Sequence, residues 1–72
     1  MFDRVKEIIE KYSEAENITP ESALRADLGL SSFDLVSIVT DFEEGFGIEV
    51  PDRDIMFFDT IGDIMKYLEE HT

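Results

Sequence analysis

Apolar residues recur at the spacing of an α-helix in three segments of this 72-residue chain. Side chains three and four positions apart lie on the same side of a helix, so each segment predicts an amphipathic helix. No stretch alternates apolar and polar residues for long enough to predict a strand. The predicted fold class is therefore all-α. The three apolar faces consist of Phe2, Val5, Ile8, Ile9 and Tyr12, then Leu35, Ile38, Val39, Phe42 and Phe46, and finally Ile61, Ile64, Met65 and Leu68.

Capping residues predict where these helices begin and end. Gly45 and Gly47 predict the end of the second helix, and Pro51 prevents its continuation. Two segments have the spacing of a capping box with Asp in place of the usual Glu, namely Ser31 with Asp34 and Thr60 with Asp63.

Two shorter segments and one long loop complete the predicted fold. Thr19-Pro20-Glu21 predicts a short helical turn with proline at its first position, and the segment from Asp52 to Phe58 predicts a short helix. They lie on either side of the second long helix, the first of them inside a loop from about Ser13 to Leu30. We therefore expect residues 1–72 to form a single domain, a small antiparallel four-helix bundle with three longer helices and one short one.

The chain is strongly acidic, with 18 Asp and Glu against 6 Lys and Arg and a net charge of -12. Such a charge disfavours nucleic acid and anionic membranes as partners and favours proteins with basic docking surfaces. A plainer interpretation is that the charge only keeps the protein soluble and monomeric.

The sequence also bounds the compartment in which the chain is expected to work. It contains no cysteine, which suits a reducing environment. Its first residues carry charges every few positions, unlike a signal peptide, and its longest apolar run, from Ile55 to Phe58, is too short to span a bilayer. We expect a cytoplasmic monomer.

Adjacent serines at the start of the second helix raise the possibility of a hydrolase. A nucleophile elbow requires G-x-S-x-G after a strand, and the segment Gly29-Leu30-Ser31-Ser32-Phe33 lacks both the second glycine and the strand. The single candidate base, His71, is predicted in the last helical turn, where a cation suits the helix dipole. The sequence therefore favours a protein that is not itself an enzyme.

Three aspartates, Asp52, Asp54 and Asp59, invite comparison with a calcium-binding loop. Counted from Asp52, the sixth and twelfth positions hold Phe57 and Asp63 where an EF-hand requires Gly and Glu. The pattern predicts no dedicated metal site, only weak nonspecific binding of divalent cations to the acidic surface.

On the second helix, Phe33 and Val36 are predicted to point away from the core face, near Ser37, Thr40 and Glu44. An aromatic residue off the core face, followed by acids, favours a docking surface. The alternative is that Phe33 folds back onto the long loop and Val36 lies at the margin of the core.

Two segments, "DLGLSSFDLV" and "FEEGFGIEVPD", closely resemble the acyl carrier proteins. The pattern of that family is D-L-G-x-D-S-L-D-x-V, followed by a helix that ends E-E-x-F-G-I-x-I-P-D. The resemblance covers nearly the whole chain, since "RVKEII" is similar to the family's first helix and "TIGDIMKYLEEH" to its last.

The resemblance implies that Ser32 is modified with 4'-phosphopantetheine, which a phosphopantetheinyl transferase takes from coenzyme A. The transferase would supply the base and the arm would supply the thiol, both of which this chain lacks. Ser31, one position off the motif, is the rival site and is the better helix cap. Four positions depart from the family's usual residues: Ser31 replaces Asp, Phe33 replaces Leu, Ser37 replaces Glu and Thr40 replaces Met.

By the same resemblance, the chain is a carrier that delivers thioester-bound acyl groups to acyl-processing enzymes, with fatty acid biosynthesis as the expected pathway. A discrete carrier for polyketide, aminoacyl or D-alanyl groups is the alternative, and an unmodified acidic adaptor is an alternative of another class. The expected partner surface comprises Phe33, Asp34, Val36, Ser37, Thr40, Asp41, Glu43 and Glu44. The expected acyl-chain pocket comprises Ile38, Val39, Phe42, Ile55, Ile61 and Leu68.

Overall fold

The computed structural model describes residues 2–71, and four α-helices lie in that range. Within it no strand is present, only an isolated bridge between Ala23 and Thr60. The predicted all-α class and four-helix arrangement are confirmed. None of the helices in residues 2–71 is long and apolar enough to cross a membrane. The helices are α1 (Phe2–Glu10), α2 (Ser32–Phe46), α3 (Asp52–Ile55) and α4 (Ile61–His71).

One hydrophobic core joins the four helices, with α2 packed against α1 and α3, and α1 packed against α4. All three predicted apolar faces contribute to it, and their outer members pack partly buried at its edge. Each fully buried aliphatic side chain stabilises the fold by about 1.5–3 kcal/mol. The first loop also supplies core residues that the helical pattern does not predict: Ile18, Leu24, Leu28 and Leu30.

Helix α2 begins as predicted, and it ends at Gly47, one of the two glycines predicted to end it. Ser31 is its N-cap, and the capping box with Asp34 is complete in both directions. Gly47, at φ 69°, ends the helix in the left-handed conformation that glycine adopts without steric cost. The expectation that Gly45 also ends the helix is wrong, because Gly45 lies inside the last turn.

The capping box predicted for α4 is also confirmed. The backbone N–H of Asp63 donates to the Thr60 hydroxyl at 3.3 Å, and the N–H of Thr60 donates to the Asp63 carboxylate at 3.1 Å. The same carboxylate accepts from the N–H of Asp59 at 2.9 Å.

Helix α3 is shorter than the predicted segment from Asp52 to Phe58. Beyond Ile55 the chain tightens into turns in which Phe57 N–H donates to the carbonyl of Asp54 and Phe58 N–H to that of Ile55. These 3₁₀-type turns return Phe58 to the core while Phe57 stays exposed.

The helical turn predicted at Thr19 is a single turn, closed by the Ser22 N–H donating to the Thr19 carbonyl. The turn caps the start of α4, because the carbonyls of Pro20 and Ser22 accept from the N–H groups of Gly62 and Ile61. A Cβ on Gly62 would lie 3.2 Å from the Pro20 carbonyl oxygen, which explains the glycine there.

Candidate functional site

The two serines at the start of α2 have different hydrogen-bond partners. The hydroxyl of Ser31 accepts the backbone N–H of Asp34 at 3.1 Å and is thereby used in capping. Ser32, the first residue of the helix, is exposed, and its Oγ accepts a hydrogen bond from Nη2 of Arg25 at 3.0 Å. Because the Ser32 hydroxyl is the acceptor in this bond, its own proton is available to an external base.

Arg25 reaches Ser32 because residues 24–28 form a compact turn. The N–H of Gly29 donates to the carbonyl of Arg25, and the N–H of Leu30 donates to that of Leu24. With Gly29 at φ 68°, the bond from Gly29 to Arg25 is the one that normally ends a helix at a glycine. Leu24, Leu28 and Leu30 are buried and fix the turn to the core.

A groove of about 210 Å³ opens beside Ser32, between α2 and α3. Apolar side chains form most of it, and Arg25 and Asp52 are the charged residues on its wall. The lining residues are Arg25, Ser32, Leu35, Val36, Asp52, Ile55 and Met56.

The residues expected to form an acyl-chain pocket relate to this groove unequally. Ile55 lines the groove. The other expected residues are at most 2% exposed and are packed together in the core: Ile38, Val39, Phe42, Ile61 and Leu68. Their contact with an acyl chain stays a prediction.

Apolar side chains surround Ser32 on the surface of α2. Phe33 is 78% exposed and Val36 is 49% exposed, so both point away from the core as the helical spacing predicts. Their alternative positions, folded onto the loop or at the core margin, are not adopted.

The acidic residues expected on the partner surface differ in how tightly they are held. Asp34 accepts the N–H of Ser31 within the capping box at 2.9 Å. Asp41 accepts the hydroxyl of Tyr12 at 2.7 Å, and Glu43 accepts the N–H of Val50 at 2.8 Å. Glu44 is exposed. Most of these carboxylates therefore also connect α2 to its surroundings.

The two uncharged polar residues of this surface are positioned by α2 itself. The Thr40 hydroxyl is exposed and donates to the carbonyl of Val36 at 3.0 Å, one turn earlier. Ser37 is half-buried. Neither brings a charge to the surface.

The groups considered for other chemistry are engaged elsewhere. The His71 ring stacks on Tyr67, with the ring centroids 4.0 Å apart, and its Nδ1 lies 2.8 Å from the Tyr67 carbonyl oxygen. Asp54 accepts the hydroxyl of Tyr67 at 2.9 Å. Across residues 2–71, no three histidine or acidic side chains are grouped as a metal ion would require.

Sequence reasoning missed Arg25. It is one of six basic residues in an acidic chain and precedes Ser32 by seven positions. That scarcity is the only signal in the sequence, because the shape of the intervening turn decides whether the guanidinium reaches the serine.

Comparison with known proteins assigns this fold to a family. A family model described as the phosphopantetheine attachment site matches residues 3–68. The acyl carrier protein of Clostridium perfringens strain 13 is 46% identical over 74 aligned positions, which cover 100% of this chain and 97% of that protein. The acyl carrier protein of Thermotoga maritima is 46% identical over 72 positions, covering 97% of this chain and 89% of that protein.

Proposed function

Because this chain belongs to the acyl carrier protein family, we propose that its 4'-phosphopantetheine group is attached to Ser32. The observation that carries the proposal is the contrast between the two serines. Ser31 spends its hydroxyl on capping α2, whereas the exposed Ser32 hydroxyl contacts only a cationic side chain by hydrogen bonding. The bound group supplies a thiol that carries acyl groups as thioesters.

The residues around Ser32 fit this group chemically. A phosphodiester needs an accessible hydroxyl for its attachment and is stabilised by a nearby cation, and Ser32 and Arg25 provide these. The apolar wall of the adjacent groove suits the uncharged remainder of the arm and its cargo.

In the proposed modification, Ser32 Oγ forms a new P–O bond with the phosphorus that bears the pantetheine of coenzyme A. The pyrophosphate bond breaks, and the nucleotide leaves as 3',5'-ADP. The hydroxyl proton goes to a base of the transferase. This assignment agrees with the position of Ser32, whose hydroxyl is exposed and is not used in capping α2.

We further propose that a surface around Ser32 docks the transferase and the acyl-processing enzymes. Phe33 and Val36 supply exposed apolar area beside the serine, and Glu44 supplies exposed negative charge for a basic partner. With a net charge of -12, copies of the chain repel one another, which supports a monomeric carrier. We propose the cytoplasm as its location.

Intact-mass spectrometry tests the attachment site. The chain is incubated with coenzyme A and a phosphopantetheinyl transferase of broad specificity, with Ser32→Ala and Ser31→Ala as matched variants. Wild type and Ser31→Ala should each gain one phosphopantetheine, and Ser32→Ala should gain none. Ser31→Ala should unfold more easily by about 1 kcal/mol through loss of the cap, while Ser32→Ala keeps its stability.

Retention of the adduct in Ser32→Ala would refute the assignment. If wild type gains no mass even with a transferase from the native host, the unmodified adaptor becomes the better interpretation.

We propose fatty acid synthesis as the pathway in which the carrier acts, and a loading assay tests it. The modified chain is offered malonyl-coenzyme A with a transacylase of fatty acid synthesis, and separately an amino acid with an adenylating ligase. Malonyl loading supports the proposal over the aminoacyl and D-alanyl alternatives. Loading by the ligase alone would favour the aminoacyl or D-alanyl alternative.

A further inference from the structure

We infer that Arg25 is a positioning residue for the modified serine, pairing with the phosphodiester once Ser32 is loaded. This inference rests on the proposed attachment at Ser32. It assigns a task to a side chain outside the serine motif and outside the predicted partner surface.

The geometry places the cation at the point of attachment. Nη2 of Arg25 lies 3.0 Å from Ser32 Oγ, the atom that would become the bridging oxygen of the phosphodiester. An esterified oxygen is a weak acceptor, whereas the adjacent phosphoryl oxygens carry the negative charge. The guanidinium presents several N–H donors in a planar fork. A small rotation moves these donors from the esterified Ser32 oxygen to the phosphoryl oxygens.

The turn that carries Arg25 is well anchored. Its Gly29 terminus and the burial of Leu24 and Leu28 fix the backbone on both sides of Arg25. The carboxylate of Asp27 accepts the N–H of Ala23 at 2.7 Å, so the nearest acid along the chain already has a partner in the turn. Only the Arg25 side chain has to adjust.

Pairing with Arg25 would offset the negative charge that the modification adds. Modification adds a negative charge to a chain that already carries twelve in excess, close to the Asp34 carboxylate in the first turn of α2. A cation at this position offsets the added repulsion. Since Arg25 and Ser32 line the same groove, the pairing also holds the root of the arm at that groove. The competing partner is Asp52, the acid on the same groove wall.

A comparison of modified and unmodified protein tests the inference. Wild type, Arg25→Gln, Arg25→Lys and Arg53→Gln are each prepared in both forms, with loading verified by mass. Arg53 is an exposed arginine of α3 that is not part of the groove, so its variant removes an equal charge as a control. Melting temperatures are measured at about 10 mM ionic strength, where the Debye length is about 30 Å, and again at about 1 M.

Pairing predicts that Arg25→Gln lowers the melting temperature by about 3 °C more in the modified than in the unmodified protein at low ionic strength. The difference should shrink at high salt, be smaller for Arg25→Lys, and be absent for Arg53→Gln. The ³¹P resonance of the single phosphodiester should shift in Arg25→Gln and stay unchanged in Arg53→Gln.

Equal losses in the two forms of Arg25→Gln, with an unmoved ³¹P resonance, would overturn the inference, because Arg25 would then stabilise both forms alike. Failure of wild type to gain mass would instead reject the attachment at Ser32, so the two failures are distinguishable.

Discussion

Phe33 and Phe57 are almost equally exposed, at 78% and 77%, but they lie in different surroundings. Phe33 follows Ser32 directly on α2. Phe57 follows α3 and lines a separate depression with Phe58, Lys66 and Tyr67. Because the two side chains are equally exposed, comparing them tests whether recognition depends on position beside Ser32.

We predict that Phe33→Ala lowers kcat/KM of the phosphopantetheinyl transferase by about tenfold, mainly through a higher KM for the carrier. The few residues that dominate a docking surface lie near its centre, are often aromatic and cost more than about 1 kcal/mol of binding when truncated. A loss of about 1.4 kcal/mol corresponds to a factor of ten. The rate of coenzyme A consumption at several carrier concentrations measures the effect.

Phe57→Ala is the matched control and should leave kcat/KM within about twofold of wild type, a difference of about 0.4 kcal/mol. Equal losses in the two variants would show that exposed aromatic area in general, rather than the surface beside Ser32, governs recognition.

At the scale of single residues, spacing along the chain predicted what depends on local geometry. The distance from Ser31 to Asp34 identified the cap, and the family pattern then pointed to Ser32. The contact of Arg25 with Ser32 could not be predicted from the sequence, because a turn with left-handed backbone at Gly29 brings the two residues together. The hydrogen bond from Tyr12 to Asp41 joins the turn after α1 to α2, and no local spacing predicts it.

At the scale of elements, α2 shows how the same residue type has opposite effects two positions apart. Gly47 has φ 69° and ends the helix, with its N–H donating to the Glu43 carbonyl at 2.9 Å. Gly45 lies in helical backbone, and its carbonyl accepts from the guanidinium of Arg4 on α1 at 3.1 Å. The sequence shows two glycines near a helix end and does not indicate which of them has positive φ.

We predict that Gly47→Ala destabilises the protein by about 1 kcal/mol, because an L-residue is strained in the left-handed region. Nothing lies within 4 Å of the Cβ it would add, so the cost is one of backbone conformation. Urea unfolding followed by circular dichroism measures the change in the free energy of unfolding.

Gly45→Ala is the paired control and should stabilise the protein by about 0.5 kcal/mol, since alanine favours helical backbone. Its Cβ would meet only Arg4 Nη2, at an ordinary 3.9 Å. Destabilisation of both variants by the same amount would contradict the assignment of Gly47 as the helix end.

The hydrogen bond between Tyr12, in the turn after α1, and Asp41 of α2 makes stability depend on pH. Donation of the Tyr12 hydroxyl to Asp41 raises the pKa of Tyr12 above its ordinary 10.0, with partial desolvation and nearby carboxylates adding to the shift. The folded state therefore holds the phenol proton more firmly than the unfolded state. Its contribution is complete below about pH 10 and is lost as pH rises through the higher folded value.

We predict that the stability difference between wild type and Tyr12→Phe favours wild type at about pH 8 and shrinks towards about pH 11, across the ordinary tyrosine pKa. Urea unfolding of both proteins over this range gives the difference, and deprotonation of lysines cancels because the two share it. A difference that stays constant with pH would mean that ionisation of Tyr12 does not weaken its contact with Asp41 of α2.

Helix α3 shows where the spacing of apolar residues stops predicting helix length and side-chain burial. The segment from Asp52 to Phe58 predicts a short helix whose apolar residues cover the end of the core. Of these residues, Ile55 and Phe58 are buried, while Met56 and Phe57 are exposed. Four consecutive apolar residues carry no period, so the pattern does not reveal which of them face solvent. The tight turns after Ile55 resolve this in the folded chain.

At the scale of the whole molecule, the stabilisation from a small hydrophobic core opposes the repulsion of a large excess of negative charge. The chain has a Cα radius of gyration of 10.8 Å, close to the roughly 11 Å expected for a compact domain of this length. Net charge and composition follow from the sequence alone, and so does the resulting repulsion. The distribution of the carboxylates does not, because Asp41, Glu43 and Asp54 are drawn into hydrogen bonds that only the fold creates.

We predict that sodium chloride raises the melting temperature of the chain at neutral pH, with most of the gain between about 10 mM and about 0.2 M. Over that range the Debye length falls from about 30 Å to less than 10 Å, which is well below the 28 Å length of the molecule, so the mutual repulsion of its charges is screened. Millimolar magnesium should act in the same direction by associating with the acidic surface. The matched variant Glu14→Gln/Glu16→Gln removes two exposed charges and should melt higher than wild type at low salt, with a shallower dependence on salt. Equal salt dependence in the two proteins, or a melting temperature that does not change with salt, would show that repulsion does not limit the stability of this fold.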